Sequence, residues 1–359
     1  MQIKTKKKIG VMLFLFFFAF AFSLRVEVVS LSQVSHILSL QGVAFELQNR
    51  GHTVSFVSFE DNRRLVDQNL SFVSVGAVPH PQSYYGFCQE IFGFLREIND
   101  YSTAAFPVLK RRFEETKPDV IAFDCTYPVI LPLCETYRCV CIIPNDVGLS
   151  MLGSNHDLEP CMISGLSSNQ LHDSYLARVK NFVLTRVLRY AFPFVVAFQT
   201  RGFWREAANT FPPSLFLKNP IGAQVMIISN AAYSVIKPNE RGPLVQYTGP
   251  WLPRPSKGLD SETQAFLDQG PFVYVSIGTN AEWVCSEAKI FSDALSQLQM
   301  RVLWSVKSEQ SQRCEIKPTS AYVRIVPFVD QLAVLQHKNV KVFVSHCGWS
   351  SLQGPHPLP

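Results

Sequence analysis

The chain has 359 residues, 47% of them hydrophobic and 17% charged, a globular balance with length enough for two domains. Its formal charge of +5 is mild, and Lys4, Lys6, Lys7 and Lys8 carry most of it at the very start. The rest is nearly neutral, so the charge gives no ground for a nucleic-acid partner.

That basic start precedes the apolar run Ile9–Phe22, and Ala21-Phe22-Ser23 places small residues at −3 and −1 of a cleavage site. The pattern predicts a secretory signal peptide over residues 1–23, because the run is shorter than the ~20 residues a spanning helix needs. An uncleaved signal-anchor is the alternative. Both deliver the chain to the endoplasmic reticulum, in its lumen or at its membrane. Asn69-Leu70-Ser71 is a glycosylation acceptor triplet usable there. The nine Cys residues show no C-x-x-C spacing for zinc, and one or two disulfides are compatible with them, without a readable pairing.

Arg25–Leu31 reads as a strand. His36–Arg50 follows as an amphipathic helix, with apolar Ile37, Leu40, Val43, Ala44 and Leu47 and a stop at Gly51. Thr53–Phe59, Asp119–Phe123 and Cys139–Ile143 read as strands, with a helix near Val129–Tyr137. This alternation predicts a parallel, doubly wound sheet in a domain over 24–240. Residues 175–190 mix Arg178, Lys180, Arg186 and Arg189 with a strongly apolar face. Two readings stay open for them: contact with a membrane surface, or a core-packing helix whose cations are solvated. Pro and Gly accumulate over 241–258, which reads as a linker. Alternation restarts over 259–359, with strands at Phe272–Ser276, Arg301–Ser305, Tyr322–Val326 and Lys341–Ser345 and helices at Ala288–Leu298 and Gln331–His337.

The chemistry-bearing residues fall at the carboxyl ends of these strands, where α/β sites assemble. His36 lies after the first strand at a helix start, where the positive dipole end favours neutral imidazole, the form a general base needs. Asp124 closes the run Val120–Phe123, and a carboxylate there could fix the His36 tautomer; a lone structural His and a capping Asp are the alternatives. Gly278 and Thr279 end the strand Phe272–Ser276 in a turn that lets a ligand approach the backbone. Val342-Phe343-Val344-Ser345-His346-Cys347-Gly348-Trp349-Ser350-Ser351 is a strand feeding a small-residue helix start, an arrangement that receives phosphate. No G-x-G-x-x-G fingerprint follows a strand, which disfavours a nicotinamide enzyme.

Taken in order, His36, Arg50-Gly51-His52, Asp124, Gly249-Pro250-Trp251-Leu252-Pro253, Tyr274–Thr279 and Gln331 through His346-Cys347-Gly348-Trp349-Ser350-Ser351 resemble the UDP-glucuronosyl/UDP-glucosyl transferase family. The resemblance implies a GT-B architecture: two Rossmann-like domains facing across a cleft, the second incomplete here. It implies inverting transfer of a hexosyl or glucuronosyl group from a UDP-sugar to a hydroxyl of a small lipophilic acceptor. In that chemistry His36 is the base, Asp124 its partner, and Gly278, Thr279, Phe328, Gln331, His346, Gly348, Ser350 and Ser351 bind the donor. The UDP-sugar is a co-substrate, and with no Asp-x-Asp motif neither a bound cofactor nor a metal is expected.

The chain also departs from the pattern. Phe328 stands where the family stacks a Trp on uracil, Asp330 replaces a Pro, Ser350 stands for an Asn, and Gly354 stands for the ribose-binding Glu. The Pro-x-x-x-Asp-Gln segment is absent. These departures leave a second reading, a catalytically silent binding protein or regulatory isoform that associates with full-length homologues.

Overall fold

The computed structural model describes residues 23–31, 34–79, 87–124, 129–137, 140–143, 166, 168–199, 201–208, 225–229, 245–247, 258–278, 282–318, 320–346 and 351. Strands among them fall into two wholly parallel sheets. The first contains β1 (Arg25–Val29), β2 (Thr53–Ser58), β3 (Ser71–Ser74), β4 (Val120–Phe123), β5 (Val140–Ile143), β6 (Val225–Ser229) and β7 (Val245–Tyr247), in the order β3-β2-β1-β4-β5-β6-β7. The second contains β8 (Phe272–Ser276), β9 (Arg301–Ser305), β10 (Val323–Val326) and β11 (Val340–Ser345), in the order β10-β9-β8-β11.

Strand sequence explains why both faces of the first sheet are covered. Side chains alternate across a strand, so a run that is apolar at every position must be buried on both sides. Val26 and Val28 of β1, with Val54 and Phe56 of β2 and Ala122 of β4, join Ile37, Leu40, Ala44 and Phe45 of helix α1 (Val34–Asn49). On the opposite face Val29, Val57, Ile121 and Phe123 join Tyr101, Ala105, Phe106, Leu109 and Phe113 of α2 (Phe87–Thr116) and Ile130 and Leu133 of α3 (Ile130–Tyr137). Glu27 is the one charge in β1 besides the exposed Arg25 at its start. It is buried, and Arg112 of α2 holds both its oxygens at 2.9 Å.

Further along lie α4 (Ser168–Asp173), α5 (Tyr175–Gln199) and α6 (Arg201–Ala208). The second sheet is covered on one face by α8 (Cys285–Ser296), through Ala288 and Leu295. On its other face it packs against Leu267 of α7 (Ser261–Asp268) and Val334 and Leu335 of α10 (Gln331–Leu335). A short α9 (Ser308–Arg313) follows β9, and a Cys285–Cys314 disulfide ties the start of α8 to the end of α9. The spacing of the cysteines gave no sign of that pairing.

One sequence expectation needs correction. The stretch read as linker from 241 contains β7, which pairs in parallel with β6, so the first sheet extends to Tyr247. Three residues among many Pro and Gly are too few to show a period. Helices that the sequence reading did not assign, α2, α4 and α6, also occupy much of the first domain. In α2 the buried positions Ile98, Tyr101, Ala105, Phe106, Leu109 and Phe113 keep helical spacing, and the helix runs on through Pro107. The leader 1–22 and the remaining linker 248–257 lie outside the described residues.

Candidate active site

In a doubly wound sheet the chain leaves neighbouring central strands in opposite directions, opening a crevice at their carboxyl ends. The first sheet switches between β1 and β4, where Val29 pairs with Phe123. The chain after β1 climbs into α1, and His36 occupies its first turn. Asp124 follows Phe123 directly, its N–H bonded to the Val29 carbonyl at 3.1 Å. The sheet thus brings together two side chains separated by 88 residues: His36 Nδ1 lies 2.5 Å from Asp124 Oδ2.

The pair is graded in exposure. The Asp124 side chain is 2% exposed and that of His36 24%. An ionised carboxylate only accepts, so Nδ1 carries the proton and the neutral ring presents its lone pair at Nε2. Burial pushes the His36 pKa down, but the Asp124 charge and hydrogen bond outweigh it and hold it above the ordinary histidine value. The helix-start argument favoured the neutral form; the adjacent carboxylate is a full charge at hydrogen-bonding distance and prevails over a partial one.

Sequence reasoning missed the groups that fix the loop between β1 and α1. Ser58 Oγ donates to the Ser30 carbonyl at 2.5 Å. Asn62 Nδ2 donates to the Leu31 carbonyl at 3.1 Å. Gln41 spans to the next connection, donating to the Leu65 carbonyl and accepting from the Asp67 N–H. For Ser58 and Gln41 the only signal was a polar residue at a buried position of a strand or helix, and Asn62, in a short helical turn without buried residues, gave none.

The second sheet repeats the plan, with its switch between β8 and β11 and Ser276 level with Ser345. Gly278 sits beyond β8 at φ +81°, and a Cβ there would collide with the His346 ring, 2.7 Å from Nε2 and 3.3 Å from Nδ1. Glycine is therefore required twice, for the left-handed backbone and for the approach of the imidazole. Burial lowers the His346 pKa, so the ring is a neutral hydrogen-bonding group near pH 7. Ser351, in helical conformation, is buried.

Phe328 and Gln331 lie on the same carboxyl edge but beyond β9, about 10 Å from β8 at normal strand spacing. Phe328 is 70% exposed, a conspicuous position for a free aromatic ring. Gln331 is half-buried at the first position of α10. Asp330, the residue that stood where a Pro was expected, caps that helix: its carboxylate accepts from the Ala333 N–H at 3.1 Å. The donor-site expectations at Thr279, Gly348 and Ser350 fall outside the described residues. Among the described residues no group of three or more His, Cys, Asp or Glu is placed to hold a metal ion.

Against known proteins, residues 113–354 match the model of the family described as UDP-glucoronosyl and UDP-glucosyl transferase, well over half of the chain. Anthocyanidin 3-O-galactosyltransferase 3GT6 of Rhododendron delavayi is 34% identical over 110 residues, 29% of this chain and 24% of that relative. UDP-glycosyltransferase 71C2 of Arabidopsis thaliana is 25% identical over 201 residues, 51% of this chain and 42% of that one. The chain thus matches less than half the length of these curated relatives. Among solved structures, Arabidopsis thaliana UGT89C1 complexed with UDP-L-rhamnose superimposes with a TM-score of 0.59 at 16% identity, covering 93% of this chain and 77% of that one. The glycosyltransferase of kitacinnamycin gives 0.61 at 16%, over 93% and 78%. Those likenesses carry the fold: two parallel-sheet α/β domains of the GT-B type.

Proposed function

The chain belongs to the UDP-glucuronosyl and UDP-glucosyl transferase family, and from that premise we propose that it transfers a hexosyl or glucuronosyl group from a UDP-sugar to a hydroxyl of a small lipophilic acceptor. One observation carries this reading: each sheet sets a histidine at its switch point, His36 against Asp124 in the first and His346 against Gly278 in the second.

The acceptor hydroxyl gives its proton to Nε2 of His36 as its oxygen attacks the anomeric carbon. The bond from that carbon to the phosphate oxygen breaks, and UDP leaves with the electron pair. Attack opposite the leaving group inverts the anomeric centre. The imidazolium that forms is stabilised by Asp124, in line with the raised pKa. Charge grows on the diphosphate as it departs, and His346 and Ser351 are the described residues suited to receive it by hydrogen bonds. Phe328 offers its exposed ring to a base, and the spacing from β8 to β10 suits a ligand as long as a nucleoside diphosphate. Relatives named for anthocyanidins and a neighbour complexed with quercetin support a flat phenolic acceptor.

The test is turnover of a UDP-sugar with a phenolic acceptor, followed as UDP release and product anomeric configuration. Wild type is expected to give inverted product, and His36→Ala to lose about 10²–10⁴-fold in rate. Undiminished turnover in His36→Ala removes the base assignment, and no UDP release by wild type favours the silent binding protein.

Residence in the endoplasmic reticulum belongs to the same proposal, supported by the leader sequence and by the Cys285–Cys314 disulfide. Asn69 is exposed on the turn before β3. A glycan on it that endoglycosidase H removes is the expected readout; an unmodified Asn69 together with reduced Cys285 and Cys314 in cells contradicts that compartment.

A further inference from the structure

In helix α5 the apolar side of residues 175–187, for which two readings were left open, faces outward. Tyr175, Leu176, Val179, Phe182, Val183 and Val187 are all exposed, Leu176 at 77% and Tyr175 at 72%. At 100° per residue these positions share one face of the helix. The opposite face, Ala177 and Asn181, is the buried one. A core-packing helix would show the reverse. Exposed cations flank the apolar stripe at Arg178 and Lys180, and a third, Arg186, lies within it. Arg186 lies over the Phe182 ring at 4.8 Å and Arg178 over Tyr175 at 5.9 Å, so guanidinium and aromatic groups sit together along the stripe. From Tyr175 to Gln199 the sequence contains no Asp or Glu; Asp173, on α4, is the nearest carboxylate before it.

We propose that the outer face of α5 docks on the surface of an anionic lipid bilayer. The argument is charge complementarity joined to shape. A protein partner of ordinary composition would place carboxylates opposite three cations at specific points, whereas a lipid surface offers diffuse negative charge beside a continuous apolar phase. An apolar stripe bordered by arginine, lysine and aromatic rings is built to lie in that boundary, rings at headgroup depth and aliphatic side chains below. No described helix is long and apolar enough to cross a membrane, so the contact is interfacial. The proposal is independent of the catalytic reading and places the acceptor domain where lipophilic compounds concentrate.

The test is co-sedimentation of the full chain with phosphatidylcholine vesicles, with and without phosphatidylserine. Binding is expected to rise with phosphatidylserine and fall with salt. Arg178→Glu and Arg186→Glu should each weaken partition at least about fivefold, and the exposed pair Leu176→Ser with Val183→Ser should abolish most of it with thermal unfolding unchanged. The leader is common to every variant, so a difference between them reports α5. Partition equal in wild type and both variant sets overturns the proposal. So does sedimentation velocity showing a wild-type dimer that Leu176→Ser with Val183→Ser dissociates, which assigns the face to a second copy.

Discussion

His36 and Asp124 state the account in two residues. The raised His36 pKa predicts that kcat/KM falls on the acid side with a limb above the ordinary histidine value of 6.5, since only neutral imidazole accepts the acceptor's proton. Asp124→Asn removes the charge but not the burial, so that limb should move to lower pH while the maximal rate drops; a pH profile of both enzymes checks it. The same shift enters stability with a definite sign. A group whose folded pKa is raised stabilises below its unfolded pKa, and the contribution is lost as pH rises through the folded one. Phe328 makes the complementary case in the second sheet. Its ring is 70% exposed, so Phe328→Ala should leave the unfolding temperature unchanged and yet weaken UDP by about 1–3 kcal/mol of lost stacking, read by calorimetry.

At the scale of elements, the buried Glu27–Arg112 pair fastens α2 to the central strand. Burial raises the Glu27 pKa, while the hydrogen bond and charge of Arg112 pull against that. Removing one partner strands the other, so Arg112→Met should cost about 3 kcal/mol in urea unfolding, and adding Glu27→Leu should restore most of it. In the second sheet Asp330→Ala removes the cap of α10 at about 1 kcal/mol. The Cys285–Cys314 bond closes a loop of 29 residues in sequence separation, and its reduction should cost about 3–4 kcal/mol, seen as a lowered unfolding temperature in dithiothreitol.

Across the whole molecule, the parts legible in sequence were those with a strong local period. β1, β2, β4, β8 and β9 follow from apolar runs ended by polar or small residues, and α1 from its repeated apolar spacing and Gly51 stop. β7 is three residues long among prolines and glycines, and α2 carries an internal proline; local signals fail in both places because distant packing decides them. The site was legible as residue types at strand ends, but the reason His36 meets Asp124, and Gly278 meets His346, is strand order. Sequence alone gives no neighbour for β1 or β8. Once the order places β4 beside one and β11 beside the other, both pairs follow. Asn62, Ser58 and Gln41, which brace the loop below His36, carried no motif and emerged from their hydrogen bonds.

The central claim is that the switch point of the second sheet is a nucleoside diphosphate site. Calorimetric titration of UDP into the wild-type chain and into His346→Ala tests it most directly. The account predicts saturable, one-to-one binding that His346→Ala weakens about tenfold or more, the loss of one hydrogen bond to a charged group, with the unfolding temperature preserved. No saturable heat from the wild type, or equal affinity in the two proteins, would contradict it.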